Sequence, residues 1–139
     1  MIVRLLALTL LAVTATPASA AVGDPTAAAL DRCLDDPGNA STAAQTDCEG
    51  RAAHDYDRRL NAAYRALLKG LPAPAAQRLR VAQRAWLAFR SADAQARSTL
   101  YQSRQGTMYV PMQAHGDAAV VRDRALQLEA YLRALRIEG

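Results

Sequence analysis

Residues 42–69 read TAAQTDCEGRAAHDYDRRLNAAYRALLK. Ala52, Tyr56, Leu60, Ala63 and Leu67 recur in this stretch at spacings of four and three. Such a period lays all five on one side of an α-helix. Tyr64 and Leu68 broaden the stripe. Ser41 or Thr42 can cap the start, with Gln45 placed for a capping box on Thr42. Gly70 is a stop signal, and Pro72 blocks continuation.

Three more helices are predicted outward from this one. A short first helix covers about Thr26 to Leu34, opened by Asp24-Pro25 and ended by the turn at Pro37-Gly38-Asn39. Pro74 suits the first turn of a third helix that continues to about Ser103. Its apolar stripe reads Leu79, Ala82, Trp86, Phe89, Ala92 or Asp93, Ala96 and Leu100. Trp86 is expected inside, against Tyr56, Leu60 and Tyr64. Gln105-Gly106-Thr107 breaks the helix. Met108 to Met112, interrupted by Pro111, reads as an apolar connector. A fourth helix begins between Gln113 and Asp117 and carries Val121, Ala125, Leu128, Leu132 and Leu135 on one face.

Composition agrees with helices. Apolar residues make up 51% of the 139, charged residues 22% and aromatics 5%, and alanine dominates the apolar set. An alanine- and arginine-rich chain poor in β-branched residues favours helix over sandwich or barrel. Short connections between long amphipathic helices favour antiparallel neighbours. The predicted fold is all-α: a small antiparallel bundle of three main helices plus a short N-terminal helix.

The first twenty residues read as a signal peptide. Arg4 supplies the positive region, Leu5 to Val13 the apolar core and Ala18-Ser19-Ala20 the cleavage site. The apolar run falls short of the about 20 residues a bilayer span needs. Residues 21–139 then form a single domain, periplasmic or secreted, with 16 basic and 13 acidic side chains, a net charge of +3. In an oxidising compartment the only two cysteines, Cys33 and Cys48, read as a disulfide. His54 and His115 show no ligand spacing and read as surface residues.

Catalytic patterns are missing. There is no GxSxG, HExxH, GxGxxG or P-loop string. The acidic residues are mainly Asp in caps, turns and local pairs such as Asp55 with Arg59 and Asp57 with Asn61. No enzymatic activity, metal or cofactor is expected. Arginine outnumbers lysine 16 to one. Nucleic-acid binding calls for exposed stacking aromatics beside a basic stripe, and Trp86 and Phe89 fall on the expected core face. No nucleic-acid partner is expected.

Two stretches resemble the LprI-type lysozyme inhibitor domain. Leu79-Arg80-Val81-Ala82-Gln83-Arg84-Ala85-Trp86-Leu87-Ala88-Phe89-Arg90 is similar to its L-R-x-A-Q-R-A-W-x-x-F-R core. Asp57, Leu60, Asn61, Tyr64 and Leu67 match its D-x-x-L-N-x-x-Y-x-x-L pattern, and Cys33 and Cys48 fit its leading cysteine pair. The resemblance covers most of 30–135. Two departures stand out. A second cysteine pair, whose places fall near Ala94 and Gly116, is missing, and Ser91 replaces the usual Asp after F-R.

The resemblance implies an exported binding protein that blocks a peptidoglycan-cleaving enzyme, a lysozyme or another cell-wall hydrolase, by direct contact. The alternative is a non-inhibitory envelope interaction module. Gln83, Arg84 and Arg90, with Arg80 one turn before Arg84, are the expected partner-binding residues. Asp57, Asn61, Tyr64, Trp86 and Phe89 are the expected structural motif residues.

Overall fold

The computed structural model describes residues 23–137. The expected signal peptide lies outside them. Helix α1 spans Pro25–Asp35, α2 Thr42–Gly70, α3 Ala73–Gln102 and α4 Tyr109–Ile137, with a single 3-10 turn at Pro37–Asn39. The all-α fold and its three long helices stand as expected.

Local chemistry sets the ends. Asp24 caps α1 by accepting the Thr26 N–H at 3.0 Å, and Pro25 fills a first-turn position that needs no N–H. Ser41 caps α2 through the Ala44 N–H at 3.1 Å. With Ser41 as the cap, Thr42 lies inside the helix and the capping box with Gln45 is out of register. Gly106, at φ 116°, makes the turn between α3 and α4.

Helix α4 starts earlier than its apolar stripe suggests. Met108 to Met112 is not a connector, because the helix already runs from Tyr109. Pro111 sits in the first turn, where the backbone N–H has no helical partner to lose. Gly116 is carried inside the helix.

The core is the seam between α2 and α4. Ala52, Tyr56, Leu60, Ala63 and Leu67 pack with Val121, Ala125 and Leu128, all buried. Alanines and Gly70 permit close approach; a Cβ at Gly70 would stand 2.8 Å from Leu135 Cδ2. Cross-contacts Glu49–His115 and Arg59–Glu129 rise together in number, so α2 and α4 run parallel. Helix α3 returns antiparallel beside them, as Gln83–Arg124 and Arg97–Asp117 show. Helix α1 runs antiparallel to α2, held by the Cys33–Cys48 disulfide across a Cα–Cα distance of 5.9 Å.

Helix α3 corrects the sequence reading. Leu79 and Trp86 do turn inward and are half-buried, Trp86 packing, as Tyr64 does, on the cluster that holds Tyr56 and Leu60. Ala82, Phe89, Ala92, Ala96 and Leu100 are exposed, Phe89 at 57%. The inward line is Ala76, Leu79, Gln83, Trp86, Arg90, Asp93 and Arg97. Gln83, Arg90 and Arg97 find partners on α2 and α4, so this helix docks by hydrogen bonds and ion pairs. Periodicity alone places the apolar face inside; here specific polar partners override it.

Candidate binding face

The motif residues of α3 meet a cation that sequence reading overlooked. Arg124, nine-tenths buried on α4, donates from Nε and Nη2 to Gln83 Oε1 at 3.0 and 2.9 Å. Its Nη1 donates to Gln127 Oε1, and its guanidinium lies 5.8 Å from the centre of the Trp86 ring. Burial lowers its pKa. An arginine amid Val121, Ala125 and Leu128 breaks an otherwise apolar stripe, which was the available signal.

Arg90 links the two motifs. It lies over the same Trp86 ring at 5.6 Å and stands 3.6 Å from Asp57 Oδ1. Asn61 Nδ2 donates to both the carbonyl and the side chain of Asp57 at 2.8 Å. Tyr64 is half-buried against the core. Gln83, Arg90, Asp57, Asn61, Tyr64 and Trp86 are thus engaged within the bundle.

Near Ala94 and Gly116 a different device joins α3 to α4. Arg97 pairs with Asp93 on its own helix and with Asp117 across the gap at 2.7 Å. A Cβ at Gly116 would stand 3.1 Å from Arg97 Cδ, so the glycine makes room for the arginine's stem.

A third polar cluster ties α1 to the frame. Tyr56 Oη donates to Asp24 Oδ2 at 2.7 Å, Arg59 pairs with Asp24, and Arg59 Nη1 donates to Thr26 at 3.0 Å. Arg59 also donates two parallel bonds to Glu129, both 2.8 Å. Burial pushes the Asp24 pKa up, but hydrogen bonds from Tyr56 and Arg59 outweigh it and hold the carboxyl below its ordinary value. Burial and the Asp24 carboxylate push Tyr56 up to about 12. The Glu129 bonds raise Arg59 further.

The engaged residues leave an outward surface on α3. Val81, Ala85, Ala88, Phe89, Ala92, Ala96 and Leu100 are all exposed. At about 100° per residue, helical geometry gathers them within an arc of about 120° on the side away from Gln83, with Phe89 and Leu100 at the edge nearest Arg90. Arg80 and Arg84, four residues apart and both exposed, border this apolar strip. His115, expected at the surface, is exposed but bonds a buried acid, Glu49, at 3.0 Å.

Among the described residues no group of three or more His, Cys, Asp or Glu side chains forms a metal cluster. No described helix is long and apolar enough to cross a membrane.

A family model described as "Lysozyme inhibitor LprI" matches residues 33–128. The match takes in both cysteines, both motifs and Arg124. The crystal structure of an uncharacterized protein from Burkholderia thailandensis superposes with a TM-score of 0.78 at 34% sequence identity. The alignment covers 84% of this chain and 57% of that one, so the chain spans just over half of that relative's length. No curated protein matches.

Proposed function

Because the chain belongs to the LprI lysozyme inhibitor family, we propose that it is an exported inhibitor, acting without turnover, of a peptidoglycan-cleaving enzyme. It blocks the target by direct contact through the outward face of α3. The observation that carries this reading is the apolar strip from Val81 to Leu100, exposed beside Arg80 and Arg84.

The chemistry fits a glycosidase cleft. Such a cleft presents two carboxyl groups about 5–9.5 Å apart. An arginine fork meets a carboxylate with two parallel hydrogen bonds. Arg90 is already tied to Asp57 and Trp86, which leaves Arg84 as the inserted cation. Arg80 stands one turn away, about 6 Å along the axis. The apolar strip supplies contact area around them.

A lysis assay with purified mature protein against several lysozymes tests the reading. The wild type inhibits; a folded Arg80→Glu/Arg84→Glu variant does not, with helicity unchanged. Full inhibition by that variant moves the contact to the 104–112 segment. A wild type that binds envelope partners and inhibits no hydrolase favours the non-inhibitory module instead.

A further inference from the structure

A cavity of about 460 Å³ opens where the end of α1 and the start of α2 face the α3–α4 corner. Its walls include Leu34, Tyr101, Met108, Pro111 and Met112, and one acid, Glu49, lines it beside His115. The volume lies in the range of small-ligand pockets, about 300–1,000 Å³. The lip carries two exposed methionines, Met108 and Met112, a side chain that adapts to varied apolar shapes.

Glu49 is the unusual member. Its side chain is only 6% exposed, and Oε1 meets His115 Nδ1 at 3.0 Å. Oε2 is buried with no hydrogen-bond partner among the described residues. A buried polar atom without a hydrogen bond is costly, and native folds rarely tolerate one. A smaller cavity of about 170 Å³ reaches the same Glu49–His115 pair from the α1 side and adds a second acid, Asp31. The cation on its wall, Arg122, is paired with Asp123. The His115 side chain, 61% exposed, has room to turn aside and open Glu49 to the larger cavity.

We propose that this cavity binds an organic cation on an apolar stem, an alkylammonium or alkylguanidinium group. The stem packs on Leu34, Met108, Pro111 and Met112, and the charged N–H donors satisfy Glu49. A neutral donor offers the same stem contacts and one hydrogen bond to the acid, but brings no charge to pair with it. The cavity shares no lining residue with the Gln83–Arg124 junction and does not rest on the role given to α3.

Titration of the disulfide-bonded chain with n-hexylamine, n-hexylguanidine and n-hexanol tests the proposal, read by NMR at the Met108 and Met112 methyls and the His115 ring. The two cations give saturable shifts at all three positions, and hexanol, which lacks the charge–charge attraction, binds about tenfold more weakly. Glu49→Gln removes that preference. Met112→Lys, at a lip position 45% exposed, blocks the cations by repulsion. A peptide carrying one lysine among leucines separates the sources. Tighter binding than the free amine assigns the cation to a protein side chain, and weaker binding to a small molecule. Equal binding of hexanol and hexylamine, cation binding by folded Glu49→Gln at wild-type strength, or no saturable shift with any probe overturns the proposal.

Discussion

Gln83 holds Arg124 with a single oxygen, Oε1, which accepts both the Nε and the Nη2 protons at 3.0 and 2.9 Å. A buried cation here is satisfied by two amides and an aromatic face, with no carboxylate bonded to it among the described residues. Removing the glutamine oxygen strands the charge. Gln83→Leu is expected to destabilise the protein by about 2–4 kcal/mol in urea unfolding. Gln83→Leu with Arg124→Leu costs less than the sum of the two single changes, since no charge is left unpaired. A single Gln83→Leu variant within about 0.5 kcal/mol of wild type is the signature of an ordinary surface substitution and excludes this role.

The same junction explains what the sequence could reveal. On α2 and α4 the burial of Tyr56, Leu60, Leu67, Val121 and Leu128 follows from spacing, because those two apolar faces meet each other. On α3 the rule fails. Gln83, Arg90 and Arg97 turn inward because Arg124, Asp57 and Asp117 wait on the other helices, and a partner dozens of residues away leaves no local trace. Phe89 is exposed for the same reason: only one side of the helix can face the bundle. The family motif was legible as a pattern, yet its meaning as a clamp on Arg124 needed the third dimension. The start of α4 was missed because proline reads as a breaker, while the first turn of a helix accepts it. Glu49 carried no signal at all, since its burial depends on α1 and α4 closing around α2.

Acid should weaken the α1 clasp. Asp24 has its folded pKa below the ordinary 3.8 because Tyr56 and Arg59 bond its charged form, against the opposing effect of burial. A group depressed in this way contributes stability at pH values above 3.8. That contribution is lost as pH falls through 3.8 and on through the lower folded value. Asp24→Asn keeps a good helix cap but loses the charge. Its melting temperature should lie below wild type at pH 7, and the gap should close as pH falls below 3.8 and through the lower folded value. A gap that persists unchanged at the acid end assigns the loss to geometry instead.

The disulfide joins α1 to α2 across a sequence separation of 15. Closing a loop of that size constrains the unfolded chain by about 3 kcal/mol. Cys33→Ala/Cys48→Ala should lower the melting temperature by roughly 10–20 °C for a domain of this size. The α2–α4 seam is far from the bridge along most of its length, so helicity at 25 °C should survive. Mass spectrometry of unreduced protein should show two hydrogens fewer than the reduced form.

Charge and packing make separable contributions at the α3 face. The full chain carries a formal net charge of +4, and Arg80 and Arg84 border the strip. Against a cationic lysozyme, long-range forces oppose encounter, and salt screens them beyond about 8–10 Å near physiological strength. The association rate should therefore rise with ionic strength; an acidic hydrolase gives the opposite slope. Dissociation should depend instead on the apolar contacts. Phe89 is 57% exposed in the free protein, so Phe89→Ser should leave the unfolding midpoint within about 0.5 kcal/mol of wild type. The same change should speed dissociation about tenfold or more, as expected when an aromatic anchor is removed from a contact. Surface plasmon resonance at two salt concentrations reads both effects. An unchanged dissociation rate for folded Phe89→Ser rules out the apolar strip as the docking surface.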